Sequence, residues 1–279
     1  MVRPVNNANA LQHIKGTIAL AGAGKMGGAM LAGWLAGGLD AGRAIVIEPM
    51  PSDEINALIQ QGVRLNPSAK DTGAVDALVV AVKPQSFREA GAKLRPFVGS
   101  STLVVSIMAG ATIASISEVC GGAVVRAMPN TPAAIGRGIT VAVAAGQVSP
   151  AQRATADALL RAIGSVEWVD DEQLMDAVTA VSGSGPAYIF LLAEELARAG
   201  VEAGLPAELA TRLARETVAG SGELLRRSEA SSATLRQNVT SPGGTTAAAL
   251  EVLMGADGMQ SLLTRAVAAA TRRSKELAK

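Results

Sequence analysis

The chain has 279 residues, a length at which single cores tend to split, so more than one domain is expected. Apolar residues make up 49% but aromatics only 2%, so the core must be built from Ala, Val, Leu, Ile and Met, which suits packed helices and a buried parallel sheet. Lys+Arg 25 against Asp+Glu 24 leaves no basic stripe for nucleic acid, while a single histidine (His13) and a single cysteine (Cys120) leave little material for a classical metal site or a Ser-His triad and none for an internal disulfide.

In chain order, Asn6, Asn7 and Asn9 surround His13 in an N-terminal segment that reads as frayed. Residues 16–39 could pass for a signal-peptide core, but Lys25 lies in the middle and the glycines have a better use. Residues 96–117 are uncharged but broken by Ser, Thr and Gly. No membrane partner and no targeting segment are expected, and a lone cysteine points to the cytoplasm. Strands are predicted at TIAL (17–20), AIVI (44–47), ALVVAV (77–82), TLVVSI (102–107), AVVRAM (123–128) and TVAVAA (140–145), separated by helical or turn-rich stretches. That alternation predicts a doubly wound, largely parallel α/β sheet of the Rossmann type. After SVEWVDD the periodicity turns helical, with Gly204 ending one helix and Pro206 opening the next. The spacing therefore predicts a dinucleotide-binding domain over residues 14–169 and an all-helical one over residues 170–279.

The first chemical motif is IALAGAGKMGG. Gly22, Gly24 and Gly27 form G-x-G-x-x-G between the first strand and first helix, where glycines permit a tight turn, close approach of a pyrophosphate and close helix–strand packing. Glu48, at the end of the second strand, is placed to accept the ribose 2′-OH of NAD and repel the 2′-phosphate of NADP, although Arg64 and Lys70 stand within reach of such a phosphate. The loops AVKPQ (81–85), SIMAG (106–110) and RAMPNTPA (126–133) follow later strands and describe one rim, since ligands of open α/β sheets bind beyond the carboxyl ends of the strands.

In order and rough spacing, GAGKMG, AVKPQ, SIMAG, MPNTPA, AVSGSGPAY and NVTSPGGTT resemble the pyrroline-5-carboxylate reductase family from about residue 15 to residue 277. The resemblance implies hydride transfer from NAD(P)H to the cyclic imine 1-pyrroline-5-carboxylate, giving L-proline. It also implies a Rossmann-type domain joined to a helical dimerisation domain, a substrate site where the two meet with help from a second subunit, and assembly as a dimer or a decamer. Carried over residue by residue, it assigns Ala21, Gly22, Ala23, Gly24, Lys25 and Met26 to the pyrophosphate. Ala81, Val82, Lys83, Pro84 and Ala109 line the cofactor, and Asn238 reaches it from the helical domain. Ser241, Gly243, Gly244 and Thr245 contact substrate, Thr246 hydrogen-bonds the imine nitrogen, and Glu229 is the acid near the substrate amine. One departure stands out: many relatives carry hydroxyl residues after the second strand, where this chain has Glu48 and Pro49, which leaves the choice between NADH and NADPH open.

The inventory of acids agrees with an imine substrate. Reducing a ketone requires a proton donor such as His, Lys or Tyr, whereas a cyclic imine arrives protonated and needs mainly placement. Outside the N-terminal segment there is no histidine, and the lysines stop at Lys93 and resume at Lys275. β-Hydroxyacid dehydrogenases share the two-domain layout but need a lysine on the helix after a Gly-rich turn, and SGSGPAYIFLLAEELARAG has none. Tyr188, the only tyrosine, reads as packed beside Ile189, Phe190 and Leu191. A non-catalytic NAD(P)-binding regulatory protein is the alternative of another class, but it would have let TSPGGTT decay. In that stretch Thr240 and Ser241 are expected to end one helix, and Pro242, Gly243 and Gly244 to leave N–H groups uncovered for a carboxylate where the next begins.

Overall fold

The computed structural model describes residues 10–277; Asn6, Asn7 and Asn9, with the fraying expected of them, lie outside the described residues, and His13 sits in a turn. Eight strands form one sheet: β1 Ile18–Ala21, β2 Ala44–Ile47, β3 Arg64–Leu65, β4 Ala77–Val80, β5 Leu103–Ser106, β6 Ala123–Met128, β7 Gly138–Ala144 and β8 Gly164–Trp168. Their order is β3-β2-β1-β4-β5-β6-β7-β8, with every neighbouring pair parallel except β6 and β7. Helices α1 Lys25–Ala36, α2 Asp53–Ile59, α3 Ala69–Thr72, α4 Phe87–Leu94, α5 Ile113–Cys120 and α6 Pro150–Arg161 supply the crossovers. The largely parallel, doubly wound sheet expected from the sequence is thus present.

All residues of β1, β4 and β5 are buried, because helices cover both faces of a parallel sheet. Alternate side chains feed two cores: Ile18 and Leu20 pack with Met30, Leu31, Trp34 and Leu159, while Ala19 and Ala21 pack with Leu78, Phe87, Leu94 and Ile116. Trp34 is fully buried and its Nε1 donates to the Leu159 carbonyl at 2.9 Å, so the largest side chain in the core leaves no unmet donor. Six strands were expected and eight are found. The β3 strand is only two residues long, and β8 is a half-exposed edge strand whose Ser165 and Glu167 face water, so neither carries an apolar run.

From Asp170 onward the described residues contain no strand, as the helical periodicity predicts. A 3-10 turn (Glu172–Leu174), α7 Met175–Val178 and a π-helical turn Thr179–Gly183 lead to α8 Gly185–Glu202, α9 Ala207–Arg227, α10 Ser232–Asn238, α11 Thr245–Leu253 and α12 Met259–Leu277. Gly204 (φ +100) closes the α8 end and Pro206 caps α9. Packing divides the chain into two compact units: Ser184–Ala270 forms one, and the described residues up to Gly183, rejoined by those from Thr271, form the other. The helical unit leaves Ile189, Phe190, Leu191, Leu224, Val252 and Leu262 exposed. Among the described residues no helix is long and apolar enough to cross a membrane.

Candidate active site

In the sheet unit, the glycine motif forms the turn between β1 and α1. Gly22 has φ +87, its N–H donates to the Ile47 carbonyl at 3.0 Å, and a Cβ there would stand 2.7 Å from the Ala81 carbonyl oxygen. A Cβ on Gly27 would overlap the Gly22 carbonyl. Both positions therefore require glycine for packing alone. Gly24 differs: it caps α1 with no side-chain acceptor, and a Cβ there would meet nothing within 4 Å. With no side chain capping the start of α1 and open space beside Gly24, this turn fits a pyrophosphate. Lys25 is exposed at the first position of α1, where a cation opposes the helix dipole unless an anion is present.

The neighbouring strand ends complete the rim. Ala81 donates to the Ala21 carbonyl at 2.7 Å, which brings the β4 loop (Ala81, Val82, Lys83, Pro84) against the glycine turn. Ile107 donates to the Val80 carbonyl at 3.0 Å, so the β5 loop bearing Ala109 lies beside it. Beyond β6, Asn130 accepts the Ile139 N–H at 2.9 Å and fixes the MPNTPA turn. Arg126, 5% exposed, pairs with Glu172 at 2.9 Å, and the same carboxylate oxygen accepts the Ile113 N–H at 2.8 Å. This ion pair, buried on the arginine side, ties β6, the start of α5 and the turn after β8, and removing Glu172 would strand the Arg126 charge. The structure brings Ala21, Gly22, Ala23, Gly24, Lys25, Met26, Ala81, Val82, Lys83, Pro84 and Ala109 to the carboxyl ends of adjacent parallel strands.

Glu48 closes this rim at the β2 end. Its carboxylate accepts the Ala23 N–H at 2.8 Å and the Met50 N–H at 3.0 Å. Asn66, just after β3, bonds the Glu48 main chain twice: Oδ1 accepts the Glu48 N–H and Nδ2 donates to the Glu48 carbonyl, each at 2.8 Å. Sequence reasoning singled out Arg64 and Lys70 here and missed Asn66. Its signal was the Asn66-Pro67 pair directly after Val63, Arg64 and Leu65, a dipeptide that favours a turn.

In the helical unit, α10 ends at Asn238, two residues before the expected stop. Thr240 folds back instead, its hydroxyl donating to the Arg236 carbonyl at 2.7 Å. Gly243 turns the chain with φ +69, and Gly244 caps α11 without a side-chain acceptor. Thr246 is half-buried in the first turn of α11, while Ser241, Thr245, Asn238 and Glu229 are exposed. The open N-terminus expected of TSPGGTT is therefore present, and the unit also holds Glu229 in the connection between α9 and α10. A cavity of about 700 Å³ lies between α8 and α9, lined by Phe190, Val201, Val218, Glu194, Arg198 and Arg215, and contains none of the site residues expected from sequence.

Residues 172–277 match the family model described as pyrroline-5-carboxylate reductase dimerisation, and residues 17–110 match NADP oxidoreductase coenzyme F420-dependent. The chain is 40% identical over 264 residues to the pyrroline-5-carboxylate reductase of Pseudomonas aeruginosa, covering 94% of this chain and 96% of that one. Against the Mycobacterium tuberculosis enzyme of the same name it is 41% identical, with 93% and 96% covered. A solved pyrroline-5-carboxylate reductase from Coxiella burnetii superposes with a TM-score of 0.87 at 35% identity, covering 95% of this chain and all of that one. The Plasmodium falciparum enzyme, solved with NADP bound, gives a TM-score of 0.79 at 29% identity, with 95% and 99% covered.

Proposed function

This chain belongs to the pyrroline-5-carboxylate reductase family, and on that premise we propose how its own residues carry the reaction and which dinucleotide they prefer. The enzyme binds a nicotinamide dinucleotide, reduces 1-pyrroline-5-carboxylate to L-proline as the last step of proline biosynthesis, and self-associates. The bound cofactor supplies the hydride. What the protein supplies is placement: the uncapped start of α1 and Lys25 hold the pyrophosphate, and the loops at Ala81, Val82, Lys83, Pro84 and Ala109 set the position of the nicotinamide arm. Asn238 is assigned to the cofactor from the helical domain.

The uncapped start of α11 suits the substrate carboxylate, received by the N–H groups after Gly243 and Gly244 and by Ser241 and Thr245. Thr246 orients the ring nitrogen. Because the imine is protonated on arrival, the added hydride neutralises its charge and produces the amine without a further proton. Glu229, near that nitrogen, favours the cationic form by charge alone. The helical substrate and dimerisation domain is assigned to residues 170–279, a boundary supported by the dimerisation match beginning at residue 172. Cys120, free and buried, fits a reducing cytoplasm.

The observation that carries the cofactor reading is the Glu48 carboxylate held at 2.8 Å from the Ala23 N–H. An anion fixed at the β2 end beside the glycine turn accepts ribose hydroxyls and opposes a 2′-phosphate, so NADH is the preferred donor. Oxidation of NADH and NADPH with pyrroline-5-carboxylate tests this, with wild type expected to give the higher kcat/KM for NADH and Glu48→Ser to reverse the ratio. A wild-type preference for NADPH refutes the cofactor reading, and turnover with neither refutes the assignment of the site.

A further inference from the structure

We propose that Asn66 is a positioning residue for cofactor choice, holding Glu48 so that its carboxylate stays against the glycine turn. The proposal rests on the reading above, in which Glu48 meets the adenosine ribose. The parallel ladder between β2 and β3 has only two partner pairs, Ile45 with Arg64 and Val46 with Leu65. One more main-chain bond, from the Asn66 N–H to the Val46 carbonyl at 2.7 Å, extends it. The chain then turns away, with Asn66 at φ 47 the one non-glycine residue in the left-handed region among the described residues. Asparagine tolerates that conformation better than most residues.

With the third strand gone, no peptide unit remains to pair with Glu48. The side-chain amide of Asn66 takes its place, accepting the Glu48 N–H and donating to the Glu48 carbonyl. An amide is the one short group that offers a donor and an acceptor in the geometry of a peptide; aspartate lacks the donor and serine lacks the reach to do both. With its main chain fixed at both polar groups, Glu48 directs both carboxylate oxygens to main-chain donors, Ala23 and Met50. Asn66 therefore sets the ribose subsite through Glu48.

A double-mutant cycle on the full-length enzyme tests this, measuring kcat and KM for NADH and for NADPH in wild type, Asn66→Gly, Glu48→Gln and the double variant. Glycine keeps the left-handed turn while removing the amide; if that variant fails to fold, Asn66→Asp, which keeps the accepting oxygen and exchanges the donor for a charged acceptor, takes its place in the cycle. Asn66→Gly is expected to lower the NADH-to-NADPH ratio of kcat/KM by about tenfold, through KM rather than kcat, and to have no further effect once Glu48 is Gln. An unchanged ratio overturns the proposal. So does an equal shift in both backgrounds, which would mean that Asn66 meets the cofactor itself. If wild type prefers NADPH, the ribose reading fails on its own, and the cycle still decides: non-additive KM effects support the coupling of Asn66 to Glu48, and additive effects end it.

Discussion

Thr246 stands in the first turn of a helix whose start has no cap of its own, so its hydroxyl is free of the structural duty that Ser149 or Thr112 performs at other helix starts. Its loss should be felt in the chemistry and not in the fold. One hydrogen bond to a charged group is worth roughly 1.5–3 kcal/mol, so Thr246→Ala is expected to lower turnover by about one to two decades with the melting temperature within a few degrees of wild type. Steady-state kinetics beside thermal melting checks both halves, and an unchanged kcat would remove Thr246 from the site. At this scale the sequence was informative where a residue type has one strong reason to be present. Gly22 and Gly27 were legible because only glycine fits against Ala81 and against the preceding turn. Asn66 was not, because an asparagine before a proline is an ordinary turn signal, and its bonds run to a residue 18 positions away that only the sheet brings near.

At the scale of elements, α5 illustrates what packing does to an ordinary side chain. Cys120 ends that helix, fully buried in the same core as Leu94 and Ile116. Burial pushes its thiol up from 9.0 to about 11, against a smaller opposing pull from Arg95. The unfolded chain releases this proton near pH 9 while the folded one holds it, so folding stability is intact below pH 9 and falls as pH rises towards 11. Denaturant titrations of wild type and Cys120→Ala at pH 7 and at pH 10.5 are expected to converge or cross as pH rises, because the variant lacks the ionising thiol. A difference independent of pH would refute the thiol's part. The legibility of elements followed burial in the same way. Buried strands such as β1 and β4 announce themselves as apolar runs, whereas β8 buries mainly Val166 and was read only as the stretch after which the pattern turns helical. The end of α10 was placed two residues late because Thr240 bonds backward to Arg236, a local choice between two hydrogen-bond partners that hydrophobic periodicity does not encode.

For the whole molecule, the low aromatic content and high Ala and Leu content pointed correctly to helices and a parallel sheet, but composition does not say which apolar residues remain uncovered in one chain. Tyr188 was expected to pack beside Ile189, Phe190 and Leu191, and it is half-buried, whereas within the single chain Phe190 is 68% exposed, and Val252 on α11 is 76% exposed. Fully burying such a side chain is worth about 1.5–3 kcal/mol, so covering several exposed residues of the helical unit with a second copy offsets the cost of association. Replacing Phe190 with glutamate puts a charge on that face without touching the sheet unit. Wild type is expected to run as an oligomer at micromolar concentration by light scattering, with a melting temperature that rises with protein concentration, as mass action requires when only the folded state associates. Phe190→Glu is expected to yield smaller species whose melting no longer depends on concentration. A wild-type monomer at those concentrations, with concentration-independent melting, would mean that the exposed face serves something other than a second copy.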